Sequence, residues 1–407
     1  MKNKNTKYSH PTLKAMGTRG FSHHFLLPLL AVLAVGAIGY YLLRYSSAAT
    51  QVNKVAGPAT TEQFVAQLRG DIQGRRFVGD GGASVRTSNG YTLSFFGDTV
   101  VYKSDTVYPQ YPEANNQTTY MMRNNVLITS PGNKVKSGLS GQQLLDQKSF
   151  VDVPERLKLP NGKNYYWPNA VATDFSSAGK GRTVYVFLGQ MYSPDANTGN
   201  FNFEYAGSRL AKYYVSDTGS LKLTGNYILP TYLKDTKPIA WGSGLLLRGD
   251  WAYIYGSNKP VGEWIWGFDH YLARVKIANI GSPKAWRYWD GSMWQTNQSL
   301  AQPVVPNAQG AEGAITISRD ASTGLYTFVY KKFGFIGKEV YRATASAPQG
   351  PWTFPDASIG TPAVFNDKDF TYCGYEIPLA GGRKGVIVSH GNSEPVPFEQ
   401  QGIHSLL

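Results

Sequence analysis

Two aspartates, Asp80 and Asp98, stand nine residues on either side of Asn89 in the stretch FVGDGGASVRTSNGYTLSFFGDT, residues 77–99. Paired carboxylates suit general acid/base chemistry, which wants one group protonated as acid and the other ionised as base or nucleophile. The spacing supplies the pairing. Ala83 to Thr87 alternates small, polar and apolar residues, Tyr91 to Phe96 is β-branched and aromatic, and Ser88-Asn89-Gly90 between them is turn chemistry. A regular antiparallel hairpin folded about Asn89 sets the aspartates opposite one another, with backbones about 5 Å apart. Gly79, Gly81, Gly82 and Gly97 flank them and leave room for a ligand or a second backbone. The plainer alternative is that each aspartate only caps a turn.

The hairpin recurs in weak form along the chain. Its ending FFGD is followed by VFLGQ (186–190), YIYGS (253–257), FVYKK (328–332) and VIVSH (386–390), each preceded by a turn and an earlier strand. A third strand recurs as MMRNNVLI, SRLAKYYV, HYLARVKI and VYRATAS. Five small antiparallel sheets repeated radially make an all-β, five-bladed β-propeller, with the strand near 70–78 completing the fifth blade; a β-sandwich is the alternative. Hairpin arithmetic then projects one set of residues onto a single mouth. These are Asp80 and Asp98, then Trp167, Asn169 and Gln190, then Trp241, Ser257 and Asn258, then Glu312 and Lys332, then Tyr375, Glu376, His390 and Asn392. Trp264 and Trp266 in NKPVGEWIWGFDH join the same rim. Amides and charged groups suit hydroxyls, and aromatic rings stack on the apolar face of a sugar. Taken singly, each aromatic is a core residue more often than a platform.

Composition bounds the rest. The 407 residues are 14% aromatic and 16% charged, with 44 Gly and 23 Pro, which favours many short strands and turns. The formal net charge is +13, but residues 1–50 hold six Lys or Arg and no acid, leaving 34 minus 27, or +7, for the remainder. Those later cations are scattered, which argues against nucleic acid as a partner. One cysteine excludes an intrachain disulfide and a Cys-based metal site, and no His spacing suggests zinc. No phosphate-cradling or dinucleotide-binding loop and no nucleophile elbow is present, so no cofactor is expected.

Phe25 to Leu43 is a run of 19 uncharged, mostly apolar residues, close to the roughly 20 that span a bilayer. It is longer than a usual cleaved signal core, which favours an uncleaved signal-anchor. Lys2, Lys4, Lys7, Lys14 and Arg19 precede it, so the positive-inside rule keeps the N-terminus cytoplasmic and exports the rest. The expected organisation is a cytoplasmic tail (1–24), a transmembrane helix (25–43), a linker with a short helix (44–69) and the propeller (70–407).

The motifs GDGGASV with FGDT, YWPNAV with VYVFLG, WGSGLLLRGDWAYIYGS with YLARVKI and AWRYWDGSMW, and ATASAPQGPWT resemble glycoside hydrolase family 183. That family, formerly domain of unknown function 4185, comprises five-bladed propellers that include endo-acting D-arabinanases. The likeness runs over about 70–395. It implies Asp80 and Asp98 as catalytic residues and Asn124 as a holder of a substrate hydroxyl. The chain departs from the family pattern at Trp167-Pro168-Asn169-Ala170 and at Tyr375-Glu376-Ile377-Pro378. Together these readings predict a membrane-anchored, outward-facing glycoside hydrolase acting on a furanoside polysaccharide such as D-arabinan. The alternative is a non-catalytic carbohydrate-binding surface propeller.

Overall fold

The computed structural model describes residues 57–103, 119–194, 203–229, 239–258, 267–362, 369–392 and 402–406. A short helix, α1 (Thr61–Arg69), comes first. Thr60 caps it by accepting from the Gln63 N–H at 3.2 Å, Glu62 sits in its first turn, and Phe64, Val65 and Leu68 form its buried face.

The first sheet comprises β1 (Arg75–Arg86), β2 (Thr92–Lys103), β3 (Thr119–Met122), β4 (Asn125–Thr129) and β5 (Val135–Ser137). Its order is β1-β2-β4-β5, with β3 pairing the far half of β2. A second helix, α2 (Gly141–Leu145), leads to β6 (Gly162–Asp174), β7 (Thr183–Pro194), β8 (Glu204–Val215) and β9 (Leu221–Ile228). The third sheet is β10 (Ala240–Arg248), β11 (Trp251–Asn258), β12 (Asp269–Lys276), β13 (Arg287–Trp289) and β14 (Trp294–Gln295). The fourth is β15 (Ala311–Arg319), β16 (Tyr326–Lys332) and β17 (Val340–Ala345); the fifth is β18 (Asp369–Pro378), β19 (Lys384–Asn392) and β20 (Gly402–Ser405). Within each sheet, sequential order is spatial order apart from β3.

The first strands of the five sheets close a ring: β1 meets β6 and β18, β10 meets β6 and β15, and β15 meets β18. Five blades around an axis result, as the repeat predicts. Each blade is buried on both faces, so its middle strands are apolar in runs rather than in alternation, as 183–191 in β7 illustrates. One apolar cluster fills each seam. Phe95 and Val126 meet Val186 and Tyr213 between blades one and two, and Phe187 meets Trp241 and Trp286 between two and three. Leu272 meets Phe328 between three and four, and Val329 meets Val388 between four and five.

The last seam differs from expectation. Arg75 to Val78 pair with Lys103 to Val100 inside blade one, so they do not complete blade five. Its third strand is β20, paired to β19. The N-terminal segment contributes α1 instead, seating Phe64 and Leu68 in the cluster that holds Ile387 and Ile403. The apolar stretch Phe25 to Leu43 lies outside the described residues; among these no helix is long and apolar enough to cross a membrane.

Candidate active site

The opening hairpin turns as the sequence predicts, with Gly90 N–H donating to the Thr87 carbonyl at 3.0 Å. Its ladder is regular from Arg86↔Thr92 to Ala83↔Phe95 and again from Gly79↔Thr99 outward. Between these it breaks twice. Asp80 alone faces Gly97 and Asp98, and Gly82 is the compensating extra residue on β1. Bulges of this kind re-aim side chains. Gly82 adopts φ +105, and a Cβ there would stand 2.8 Å from Ile387; one on Gly97 would stand 3.3 Å from the Trp167 ring. Glycine is required at the first for its backbone and favoured at the second by the close approach of the indole.

Every inner strand carries such a break, at 80–82, Asn169, 242–243, 312–314 and 373–374. Asp80, Asn169, Gly242, Glu312 and Cys373 all stand five to seven residues before the last residue of their strands. The breaks therefore form one level of the channel, and the ionisable groups gather there.

Asp98 is held from two sides. Its Oδ1 accepts from Trp167 Nε1 at 2.9 Å and its Oδ2 from Arg123 Nη1 at 3.0 Å. The Arg123 guanidinium is itself stacked 4.6 Å over the Tyr165 ring. Burial raises the Asp98 pKa, and the Arg123 charge and the two hydrogen bonds oppose that rise. Its side chain remains 23% exposed, so it is enclosed yet reachable.

Among the described residues no cation acts on Asp80. Burial drives its pKa up to about 7, the Asp98 charge adds to the rise, and a hydrogen bond donated by the Tyr372 hydroxyl opposes it. It too keeps partial exposure. The pair is thus asymmetric, one carboxylate stabilised as an anion and one poised to carry a proton near neutral pH. The neighbouring Gly81 N–H donates to Ser389 Oγ at 2.7 Å, which ties this bulge to blade five.

Glu312 completes the level. Its carboxylate is buried and accepts from the N–H groups of Cys373 at 3.1 Å and Gly374 at 2.9 Å. Burial raises its pKa to about 6 against those bonds and the nearby Lys331 charge.

The family model described as Domain of unknown function (DUF5005) matches residues 72–398. The chain belongs to that family. No curated protein matches the DUF5005 chain. Solved structures are similar to it in differing degree, and the first of these shares its fold. A protein from Bacteroides ovatus ATCC 8483 described as a candidate hydrolase has 15% identity and a TM-score of 0.59, covering 84% of this chain and 87% of that one. An α-L-arabinanase mutant from Cellvibrio cellulosa has 10% identity and a TM-score of 0.42, covering 81% and 90%. A family 43 glycoside hydrolase from Xanthomonas citri complexed with xylotriose has 13% identity and a TM-score of 0.38, covering 84% and 87%.

The remaining candidate residues of the DUF5005 domain divide between the site and the scaffold. Trp167 and Asn169 reach the level of the dyad, the indole on Asp98 and the amide over Gly189. Ser257 is buried and pairs with Ala240 and His270; a Cβ on Gly313, next to Glu312, would lie 3.6 Å from its Oγ. Trp241 is 1% exposed, bonds Gln298 Oε1 at 3.2 Å and meets Trp286 edge-on, so it is core and not a sugar platform. Asn124 is locked into the backbone: its Nδ2 donates to the carbonyls of Val151 (2.8 Å) and Tyr166 (3.0 Å), and its Oδ1 accepts from Val151 N–H at 2.7 Å. It has little left for a substrate hydroxyl.

Glu376 is displaced from the expected mouth. The fifth inner strand begins at Asp369, not near Tyr375, and its bulge at 373–374 marks the level of Asp80. Glu376 lies past that bulge, towards the hairpin turn, lining a cavity of about 340 Å³ at the other end of the channel. It is paired there with Lys384 at 2.9 Å and Arg342 at 3.4 Å. His390 is buried against Asp369 at 3.3 Å rather than open to ligand. Trp264 lies outside the described residues. Tyr372, Cys373 and Arg123 escaped the sequence reading; only Arg123 carried a signal, as the residue before Asn124 in the recurring third strand. Among the described residues no group of three or more His, Cys, Asp or Glu is placed to hold a metal.

Proposed function

We propose that the domain is a glycoside hydrolase in which Asp80 protonates the leaving oxygen and Asp98 acts as the ionised carboxylate. The observation that carries this reading is the asymmetry of the pair: two donors fix Asp98, while burial drives Asp80 to a pKa of about 7 and, among the described residues, only a tyrosine hydroxyl opposes the rise. Pairs of carboxyls whose environments separate their pKa values assign acid and base. Whether Asp98 attacks the sugar directly or through a water follows from the separation of the carboxyl groups with substrate bound.

The substrate class we favour is a furanoside polysaccharide, with D-arabinan first. Support comes from the family 183 resemblance of the hairpin motifs and from Trp167 and Asn169 beside the dyad. The hydrolase description of the Bacteroides ovatus protein accords with this reading. The run from Phe25 to Leu43 supports single-pass anchoring with the domain outside the cell. The deciding experiment incubates the domain with arabinan, arabinogalactan and xylan and measures released oligosaccharides, with Asp98→Asn as control. Release by the parent and not by the variant is expected. Binding of glycan by both, with release by neither, would overturn the reading in favour of a carbohydrate-binding propeller.

A further inference from the structure

Glu312 sits in blade four, where its carboxylate also accepts from the Lys331 N–H, yet each of its two oxygens reaches blade five, on successive N–H groups of the β18 bulge. Cys373 has φ 54 there, a backbone state that side chains other than glycine rarely adopt and that needs external support. The residue before it is Tyr372, whose hydroxyl donates to Asp80. The chain of contacts is short: Glu312, the bulge at 373–374, Tyr372, Asp80.

We propose that Glu312 is a positioning residue, which holds the β18 bulge by its two backbone N–H groups and thereby keeps the Tyr372 hydroxyl on Asp80. Other groups around Glu312 have their own partners or stay neutral. The Lys331 ammonium on β16 donates to the carbonyls of Gly334 and Gly337. His270 on β12 donates from Nε2 to the Glu312 main-chain oxygen at 3.0 Å and is kept neutral by burial. Cys373 and Tyr375 on β18 are likewise held neutral, their pKa values raised by burial and by the Glu312 charge. Two successive N–H donors, the Gly374 one buried, thus depend on one anion. Gln at 312 would turn an amide N–H towards one of them and leave it unsatisfied.

Positioning and simple charge predict opposite signs. Loss of the Tyr372 hydrogen bond raises the Asp80 pKa, because that bond favours the anion, whereas loss of a nearby negative charge by itself lowers it. The test is carboxyl-carbon NMR of the aspartates, with Asp80→Asn assigning the Asp80 resonance. It compares the parent with Glu312→Gln, Tyr372→Phe and the double variant. Both single variants should raise the Asp80 pKa by about half a unit or more, roughly a threefold change in proton affinity. The double variant should match Tyr372→Phe alone, since one acts through the other. A fall or no change in Glu312→Gln, or shifts that add in the double variant, would overturn the proposal. Should Glu312→Gln not fold, Glu312→Asp keeps the charge but withdraws it by one methylene, and must still move Asp80 upward. The resonance needs no substrate. A parent that hydrolyses no glycan would therefore remove the enzymatic reading alone, because the proposal draws on that reading only for its effect on rate.

Discussion

The indole Nε1–H of Trp167 donates to Oδ1 of Asp98 at 2.9 Å, so the second blade grips a carboxylate that belongs to the first. The dyad is consequently a product of the ring and not of the hairpin alone, and its chemistry should answer to changes in the neighbouring blade. Trp167→Phe keeps most of the ring and deletes the donor. Because that bond holds the Asp98 pKa down, the variant should move the acid limb of the pH–rate profile to higher pH. Arg123→Met, which removes a charge as well as a bond, should move it further in the same direction. A profile unchanged in both would show that Asp98 is not the group that must be ionised.

The dyad itself should give a bell-shaped profile. Asp80 must hold its proton, so activity should fall as pH rises through about 7; Asp98 must be ionised, so activity should fall as pH drops through its own pKa. Asp80→Asn and Asp98→Asn should each lower kcat by roughly 10²-fold or more. Retention of activity within about threefold, far below that acid/base contribution, would return both residues to the role of turn caps.

The same burial that tunes Asp80 should cost stability. Its pKa is raised in the folded state from the ordinary 3.8 to about 7, so the native protein binds the proton more tightly than the unfolded chain does. Stability from this group is therefore fully present below about pH 4 and is lost as pH rises through about 7. Glu312, raised to about 6, acts with the same sign. Asp80→Asn should melt higher than the parent at pH 8, by roughly a few degrees, and equally at pH 4. Thermal scans at the two pH values check this.

Residues assigned to the scaffold should behave as scaffold. Trp241→Ala empties part of the seam between blades two and three and should cost about 3–5 kcal/mol by denaturant titration. Asn124→Ala strands buried groups of Val151 and Tyr166, a loss of roughly 1–3 kcal/mol. Where either variant stays folded, its KM for glycan should match the parent's; a selective rise in KM would restore that residue to the substrate.

Orientation across the membrane is tested on cells. If the proposed anchoring holds, protease added outside should remove the domain following Arg44 and spare the N-terminal tail, the outcome that the excess of Lys and Arg before Phe25 predicts. Protection of the domain would reverse the topology.

Much of this was legible because hairpins are local. The pairing of Asp80 with Asp98 follows from turn chemistry at Ser88-Asn89-Gly90 and from counting, and the two bulges cancel so that the count survives. Counting failed at Glu376, where the strand began six residues before Tyr375 and the bulge at 373–374 had no glycine pair or turn to announce it. Tyr372 was invisible for a different reason. Its importance comes from blade five closing against blade one, a contact between residues nearly 300 positions apart. Trp241 and His390 read as ligands because aromatic and imidazole side chains serve cores and sites alike, and only burial tells them apart.

The seam between the fifth and first blades brings the two ends of the described chain to the same place. The Pro58 carbonyl accepts from Ala380 at 2.9 Å, a Cβ on Gly385 would strike Thr61, and Leu406 N–H donates to Val386 at 2.9 Å. A short peptide joining 406 to 57 would bridge them, and new ends could be opened at the exposed Asp320-to-Gly324 turn of blade four. Such a circular permutant would keep every blade and the whole Asp80 level intact. The order in which the blades are translated would change while the ring would not, which makes this domain a tractable substrate for asking whether a propeller must be closed last where nature closes it.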